Sequence, residues 1–485
     1  MRKISLLFAA LMTTATIAWA QVGELTTLSE SRIALKSTTL NLLYGSDTSS
    51  LIVKQGTSYS LIETLGSKID LVRYDSELKE KVRLSLESKD NRQYLTGFNN
   101  NESIDMLFSE KNADETQLNV YHERLSPTTL KPMGEMIPLA SLTGEKGDNL
   151  GFICRQSPNM QLTSGLFITQ REGQWADARV SLYDRHFKEY WSMSTRLRTI
   201  NFISVTDSGE VIIGGWLQQK VTGKSDFETI VLDGENNHTY NFTVDAGTLS
   251  EVEFANYRDG KLYFLAIGQK KGSKGADRII SLCYNTTNKE ITSDSYTFNS
   301  QEIQHMNDNS KYAGRSPQDL RFLTIENIVP APDGHYDVLL TQTWTIRSQS
   351  SLDRATSGIM IATVRTDATF KRVHIRPFET STVTGPQESL KQYRLLRSDH
   401  GALLLYSQCK KKANRNPSKM AGYIPLFHKS VLTAIYIPDE GEIRVQHIPT
   451  KKFCMINTPV PMGENKFILF LRSFKKLRIA TFSLQ

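Results

Sequence analysis

Short apolar runs return along this chain at a steady interval. They are Tyr59–Leu65, Ile104–Ser109, Gly165–Gln170, Val211–Leu217, Lys261–Ile267, Tyr336–Thr341, Ala402–Ser407 and Lys466–Leu471. Each is followed by a second run of similar texture: IDLVRYD, QLNVYHE, ARVSLYD, FETIVLD, RIISLCYN, IMIATVRTD, VLTAIYIPD and KLRIATFSL. Apolar and polar residues alternate within the runs, the signature of strands with two different faces. No stretch of comparable length carries helical periodicity.

A period of roughly 50–60 residues built only from short strands predicts a radial array of four-stranded blades, a β-propeller. The pattern assigns four strands to each blade. Expected innermost strands are Ser50–Lys54, Arg92–Gly97, Leu150–Cys154, Ile200–Val205, Glu251–Tyr257, Leu323–Val329, Tyr393–Arg397 and Phe453–Thr458. Expected outermost strands are Lys81–Leu86, Pro132–Leu139, Tyr190–Arg196, Thr239–Val244, Ile291–Phe298, Lys371–Phe378 and Ile443–Pro449. The eighth blade thus lacks an outer strand. Ser31–Leu43, with its alternating apolar residues, is expected to supply it by pairing with Lys475–Leu484, closing the ring through the N-terminal strand. The expectation is an all-β, eight-bladed propeller, with seven blades as the alternative. Turns agree with this phase: TDSG (Thr206–Gly209), RDG (Arg258–Gly260), PDG (Pro332–Gly334) and DHG (Asp399–Gly401) separate first strands from second strands.

The N-terminus breaks the pattern. Met1-Arg2-Lys3, the apolar Ile4–Ala18 and the small-x-small site Ala18-Trp19-Ala20 read as a signal peptide. Residues 1–20 are therefore expected to be a leader and residues 21–485 a single propeller domain, exported to the periplasm, cell surface or exterior. Removing Arg2 and Lys3 takes the formal charge from +7 to +5. That mild excess does not call for nucleic acid. No later stretch reaches the ~20 apolar residues that span a bilayer. Four cysteines in so long a chain do not make a disulfide framework. Cys154 and Cys283 are expected to pack in strands, whereas Cys409 and Cys454 fall at one rim of adjacent blades and are a possible disulfide.

Known catalytic spacings are absent: no HExxH, GxSxG, P-loop or CxxC occurs. Asp233-Gly-Glu-Asn-Asn237 and Asn307–Ser310 carry oxygen ligands without a calcium-loop spacing, so turns are expected there. Leu182-Tyr-Asp-Arg-His-Phe-Lys-Glu-Tyr-Trp191 resembles the outer hairpin of quinoprotein-like propellers. Some members of that superfamily bind pyrroloquinoline quinone, while others are scaffolds. The terminal Trp is missing from the equivalent turns Asp75–Lys81 and Asp439–Ile443, so the resemblance implies architecture and no cofactor. More broadly the chain is similar to secreted propeller repeat proteins, including WD-type ones.

Charge separates by face. In this topology the connections from second to third strand and from sheet to sheet lie on one face, and the remaining turns lie on the other. The second-to-third connections of the last five blades carry Lys220, Lys224, Lys270, Lys271, Lys274, Arg347, Arg354, Lys410, Lys411, Lys412, Arg415, Lys419, Lys429, Arg472, Lys475 and Lys476. Only Asp226, Asp277 and Asp353 oppose them. Tyr423 and its apolar neighbours add aromatic surface to the 408–429 loop, and Ser300–Arg321 is expected to overhang the same face. Lys270, Lys271, Lys274, Lys410, Lys411, Lys412, Arg415, Lys419, Tyr423, Arg472, Lys475 and Lys476 are thus the candidate binding residues. Cations beside an exposed ring suit a protein, an acidic glycan or lipopolysaccharide phosphates. The expected function is a non-catalytic binding or scaffold module. The alternative is a carbohydrate-active enzyme, a lyase or glycosidase with its site on the propeller axis.

Overall fold

A computed structural model describes residues 22–32, 39–45, 49–56, 68–75, 80–86, 92–99, 102–171, 175–219, 223–269, 275–307, 319–347, 352–384, 394–409, 430–451, 453–455, 459–461, 465–473 and 476–485. The described residues form eight antiparallel sheets, seven of them with four strands in chain order. In chain order they span residues 39–86, 92–143, 149–197, 202–244, 248–297, 323–384 and 394–451. The eighth runs Gly23–Arg32, Lys476–Leu484, Lys466–Arg472 and Cys454–Met455, with Val460–Pro461 also paired to Lys466–Arg472. Sequential four-stranded sheets of this kind are propeller blades, and the chain is a β-propeller repeat protein.

Burial explains the packing. The second strands are apolar on both faces, as in Lys261–Gln269, because each lies between two neighbouring sheets. Outer strands such as Ile291–Thr297 are largely exposed. Apolar clusters join each sheet to the next. Val82 and Leu84 meet Ile104 and Met106, Leu107 meets Tyr183, and Ile213 meets Val180. Phe227 packs with Phe264, Tyr263 with Tyr336, Ile361 with Leu404, and Leu405 with Leu469. At the ends of the series, Val460–Pro461 of the eighth sheet lies against Thr39–Gly45 of the first.

Three sequence expectations change. The strand that completes the last sheet is Gly23–Arg32, in place of Ser31–Leu43. Thr39–Gly45 opens the first sheet as its innermost strand and Ser49–Gly56 is its second. The expected Tyr59–Leu65 strand lies outside the described residues. Finally, the connection after the fifth sheet begins with an α-helix, Ser300–Asn307, whose Ile303 and Met306 are buried in the core. A capping box starts it: the Glu302 N–H donates to Asn299 Oδ1 and the Asn299 N–H to Glu302 Oε2, each at 2.9 Å. Met306 occupies the space above Gly358, where a Cβ would lie 2.4 Å from its sulfur.

The N-terminal strand is fastened at both ends. Val22 and Gly23 donate their N–H groups to Gln446 Oε1 of the seventh sheet, at 2.8 and 2.9 Å, and Val22 is fully buried. Glu30 pairs with Lys476 and, at 2.6 Å, with Arg478. These two cations hold the Glu30 carboxyl below its ordinary range, Lys476 being the larger influence. A depressed carboxyl stabilises the fold above its unfolded-state pKa and loses that contribution as pH falls through the folded value. Glu30→Gln should therefore cost about 0.5–1 kcal/mol at neutral pH, the range of a partly exposed pair. Urea unfolding across pH should show the gap to the parent closing on acidification, and 1 M salt should shrink it.

Candidate functional site

Most of the expected binding residues lie outside the described residues: Lys270, Lys271, Lys274, Lys410, Lys411, Lys412, Arg415, Lys419, Tyr423 and Lys475. The strands flanking them are described. Gln269, Cys409 and Arg472 each end a second or penultimate strand, so these connections leave the same end of their sheets. Two hydrogen bonds bring that end beside the entry of the next sheet: Leu249 N–H to Gln218 Oε1 at 3.0 Å, and Met455 N–H to Ser407 Oγ at 2.7 Å. Second-to-third connections and sheet-to-sheet links therefore share a face.

Lys476 on that face already neighbours Glu30. Arg347 and Arg354, expected in a loop, belong to the long strands Tyr336–Arg347 and Leu352–Val364, which leave only residues 348–351 as their connection. Arg472 stands opposite Cys454 and Leu477 in the eighth sheet. Cys409 and Cys454 are placed by backbone only, near the Ser407–Met455 bond, and their side chains lie outside the described set. Cys154 and Cys283 are free, and burial pushes the Cys154 thiol up to about 12.

The described part of this face contains a cleft of about 280 Å³ at the rim of the fourth sheet. Its floor comes from Ser225–Leu232, where Asp226 and Glu228 alternate with buried Ser225 and Phe227 and so share one side. Asn241 and Thr243 stand opposite them on Asn237–Val244. Arg198 and Thr199, from the link out of the third sheet, form the wall. The Arg198 N–H donates to Glu228 Oε2 at 2.7 Å, and its guanidinium stacks 5.4 Å from the ring of exposed Trp175. Asp226 accepts from Thr243 Oγ1 and Gln219 Nε2, each at 2.7 Å. Those bonds, Thr243 first, keep its carboxyl below the usual range.

Gly215 permits this construction. A Cβ there would stand 2.6 Å from Asn201 Oδ1 and 2.7 Å from the Thr199 carbonyl oxygen. The close approach lets the Trp216 N–H reach Asn201 Oδ1 at 3.0 Å. Sequence reading missed the cleft. The signals present were an aromatic in a polar loop, Trp175, and the Gly214-Gly215 pair inside an apolar strand, a mark of close backbone approach.

Chemically, the cleft offers a guanidinium, an amide and hydroxyls over two anchored carboxylates, with the Trp175 indole against the guanidinium. A hydrolytic pair requires one carboxyl held protonated. Asp226 is shifted the other way and so is not the protonated member of such a pair. Nearer the axis, Glu253 on the innermost strand Thr248–Arg258 has its carboxyl raised by burial, with the Arg155 charge opposing the shift. On the opposite face, the Asp233 turn closes on itself: Asp233 Oδ1 accepts the Glu235 and Asn236 N–H groups. The hairpin ending at Trp191 does interlock with the next sheet, since a Cβ on Gly234 would lie 2.7 Å from the indole.

No protein-family model matches this chain, and no curated protein does. Solved structures with a similar outline include the WD40 domain of SCAP from fission yeast, with TM-score 0.36 and 8% identity over 94% of this chain and 97% of that one. The β-propeller domain of the Trilobed protease from Pyrococcus furiosus gives TM-score 0.38 and 9% identity, covering 84% and 95%. The GH93 alpha-L-arabinofuranosidase of Fusarium graminearum gives 0.30 and 9%, covering 70% and 93%. Likeness at this level carries no ligand or activity across. Among the described residues, no helix is long and apolar enough to cross a membrane.

The glycine argument has a direct check. Gly215→Ala should cost about 1–3 kcal/mol in urea unfolding, as overpacking against backbone does. Gly151→Ala, whose Cβ would meet nothing nearer than 3.9 Å, should be close to neutral.

Proposed function

We propose that this protein is an exported, eight-bladed propeller, closed by its N-terminal strand, that binds a protein or an acidic glycan at its loop face without catalysis. One observation carries the reading: on that face Arg198 stacks on exposed Trp175 above a polar cleft. The two carboxylates beneath are engaged by Thr243, Gln219 and the Arg198 N–H, so the outward chemistry is cationic, aromatic and amide. In sequence, Lys270, Lys271, Lys274, Lys410, Lys411, Lys412 and Arg415 follow strands Lys261–Gln269 and Gly401–Cys409, whose described ends lie on that face. Exposed cations attract an anionic partner through a screened, long-range field, while a ring gives contact area at low entropic cost. Residues 1–20 act as the leader in this reading.

The test is a glycan array and an envelope-extract pull-down with residues 21–485. Joint replacement of Lys410, Lys411, Lys412 and Arg415 by Ser should weaken capture about tenfold or more and flatten its salt dependence. Trp175→Ala should weaken it without changing the salt slope. A partner held equally by parent and variants, at low and high salt, sinks the loop-face reading.

Glu253 favours a second reading, a carbohydrate-active enzyme using the axis. The half-buried Glu253 carboxyl is shifted upward by burial, the direction a general acid needs. Incubation with polysaccharide libraries should then release reducing ends or unsaturated products with the parent and none with Glu253→Gln.

A further inference from the structure

On the face opposite the loops, three side chains from two sheets converge on one spot. His335 and Asp337 flank the start of Tyr336–Arg347 in the sixth sheet, and Asp439 begins the turn after Ser430–Pro438 in the seventh. His335 Nε2, Asp337 Oδ2 and Asp439 Oδ1 lie within 4.8 Å of one another. None of these atoms makes a hydrogen bond, although the His335 side chain is only 8% exposed and that of Asp337 1%.

The other arm of each side chain is pinned. His335 Nδ1 lies 2.5 Å from Asp333 Oδ1, Thr363 Oγ1 donates to Asp337 Oδ1 at 2.5 Å, and Arg397 Nη2 donates to Asp439 Oδ2 at 2.5 Å. This is how metal ligands are held, with an outer partner fixing each one and a carboxylate fixing the imidazole. His335 Nε2 and Asp439 Oδ1 are 3.2 Å apart without the alignment of a hydrogen bond. A tetrahedral ion with bonds of about 2.0–2.2 Å sets its ligand atoms roughly 3.3–3.5 Å apart. That spacing fits two atoms aimed at a third.

The second sheet provides an internal comparison. Asp105 occupies the same place in its strand as Asp337, directly after Ile104. There His122 Nε2 meets Asp105 Oδ1 at 2.7 Å as an aligned hydrogen bond, and Ser103 Oγ donates to the other oxygen at 3.2 Å. That pair is closed. In the sixth-sheet cluster the three facing atoms form no hydrogen bond.

Charge points the same way. Three carboxylates, Asp333, Asp337 and Asp439, face the guanidiniums of Arg397 and Arg372, while Lys371 is matched by Glu440. Carboxylates thus outnumber guanidiniums by one around the imidazole. Arg397 Nη1 stays 3.6 Å from Asp337 Oδ2 and does not hydrogen-bond to it. One imidazole with two carboxylates suits zinc-class ions, whereas calcium and magnesium take six or more oxygen ligands.

We propose that His335, Asp337 and Asp439 bind one divalent transition-metal ion, zinc by preference, that clasps the sixth sheet to the seventh. Equilibrium dialysis of chelator-stripped protein against zinc should load one equivalent and raise the thermal midpoint. Asp439→Asn should weaken loading more than about tenfold while circular dichroism stays that of the parent. Asp333→Asn, acting through His335, should weaken it about 10–100-fold, and Asp105→Asn should leave it unchanged. Parent protein that takes up no zinc overturns the proposal. So does uptake unaffected by both Asp439→Asn and His335→Gln, because the ion would then sit elsewhere.

Discussion

A four-stranded sheet cannot stand alone here, because its second strand is apolar on both faces. Each face must be covered by another sheet, and the only neighbours of the right texture are further copies. The remaining architecture follows from that demand. Leu107 against Tyr183, Phe227 against Phe264 and Leu405 against Leu469 are one solution repeated. The series leaves a face over at each end, and Val460–Pro461 of the eighth sheet lies against Thr39–Gly45 of the first.

The polar features lie at the margins of this apolar stack. At the loop rim, Gly215 thins the fourth sheet enough for the incoming link to cross it, which produces a cleft with Asp226 and Glu228 beneath Arg198. At the opposite rim, Asp337 and Asp439 bring carboxylates from two sheets together around His335. Hydrogen bonds from Thr363 and Arg397 fix those carboxylates, since a buried polar group is retained only when its partners are in place.

The repeat was legible because every second and third strand carries the same two-faced texture, and register within a sheet follows from that texture. Innermost and edge strands are covered less completely, so their pattern is weaker. That is why Thr39–Gly45 and Gly23–Arg32 were misassigned at the N-terminal end. The helix Ser300–Asn307 had a readable start in Asn299 and Glu302, but its single turn or two of apolar contacts, Ile303 and Met306, is too short to show a period. The cleft and the His335 cluster combine residues that are distant in sequence. Such convergence is set by blade-to-blade geometry, and one strand pattern cannot display it.

The strand Gly23–Arg32 also sets a timetable. It is synthesised well before its partner, Lys476–Leu484, since paired Glu30 and Lys476 stand 446 residues apart. Until then its edge and the buried position of Val22 have no native partner, and the loop to be closed spans almost the whole chain. Long-range closure of this kind is slow, and half-built sheets expose pairing edges meanwhile. Pairing Gly23–Arg32 with Lys476–Leu484 therefore makes the eighth sheet a two-ended structure, in which neither segment has its native edge partner until the other is in place.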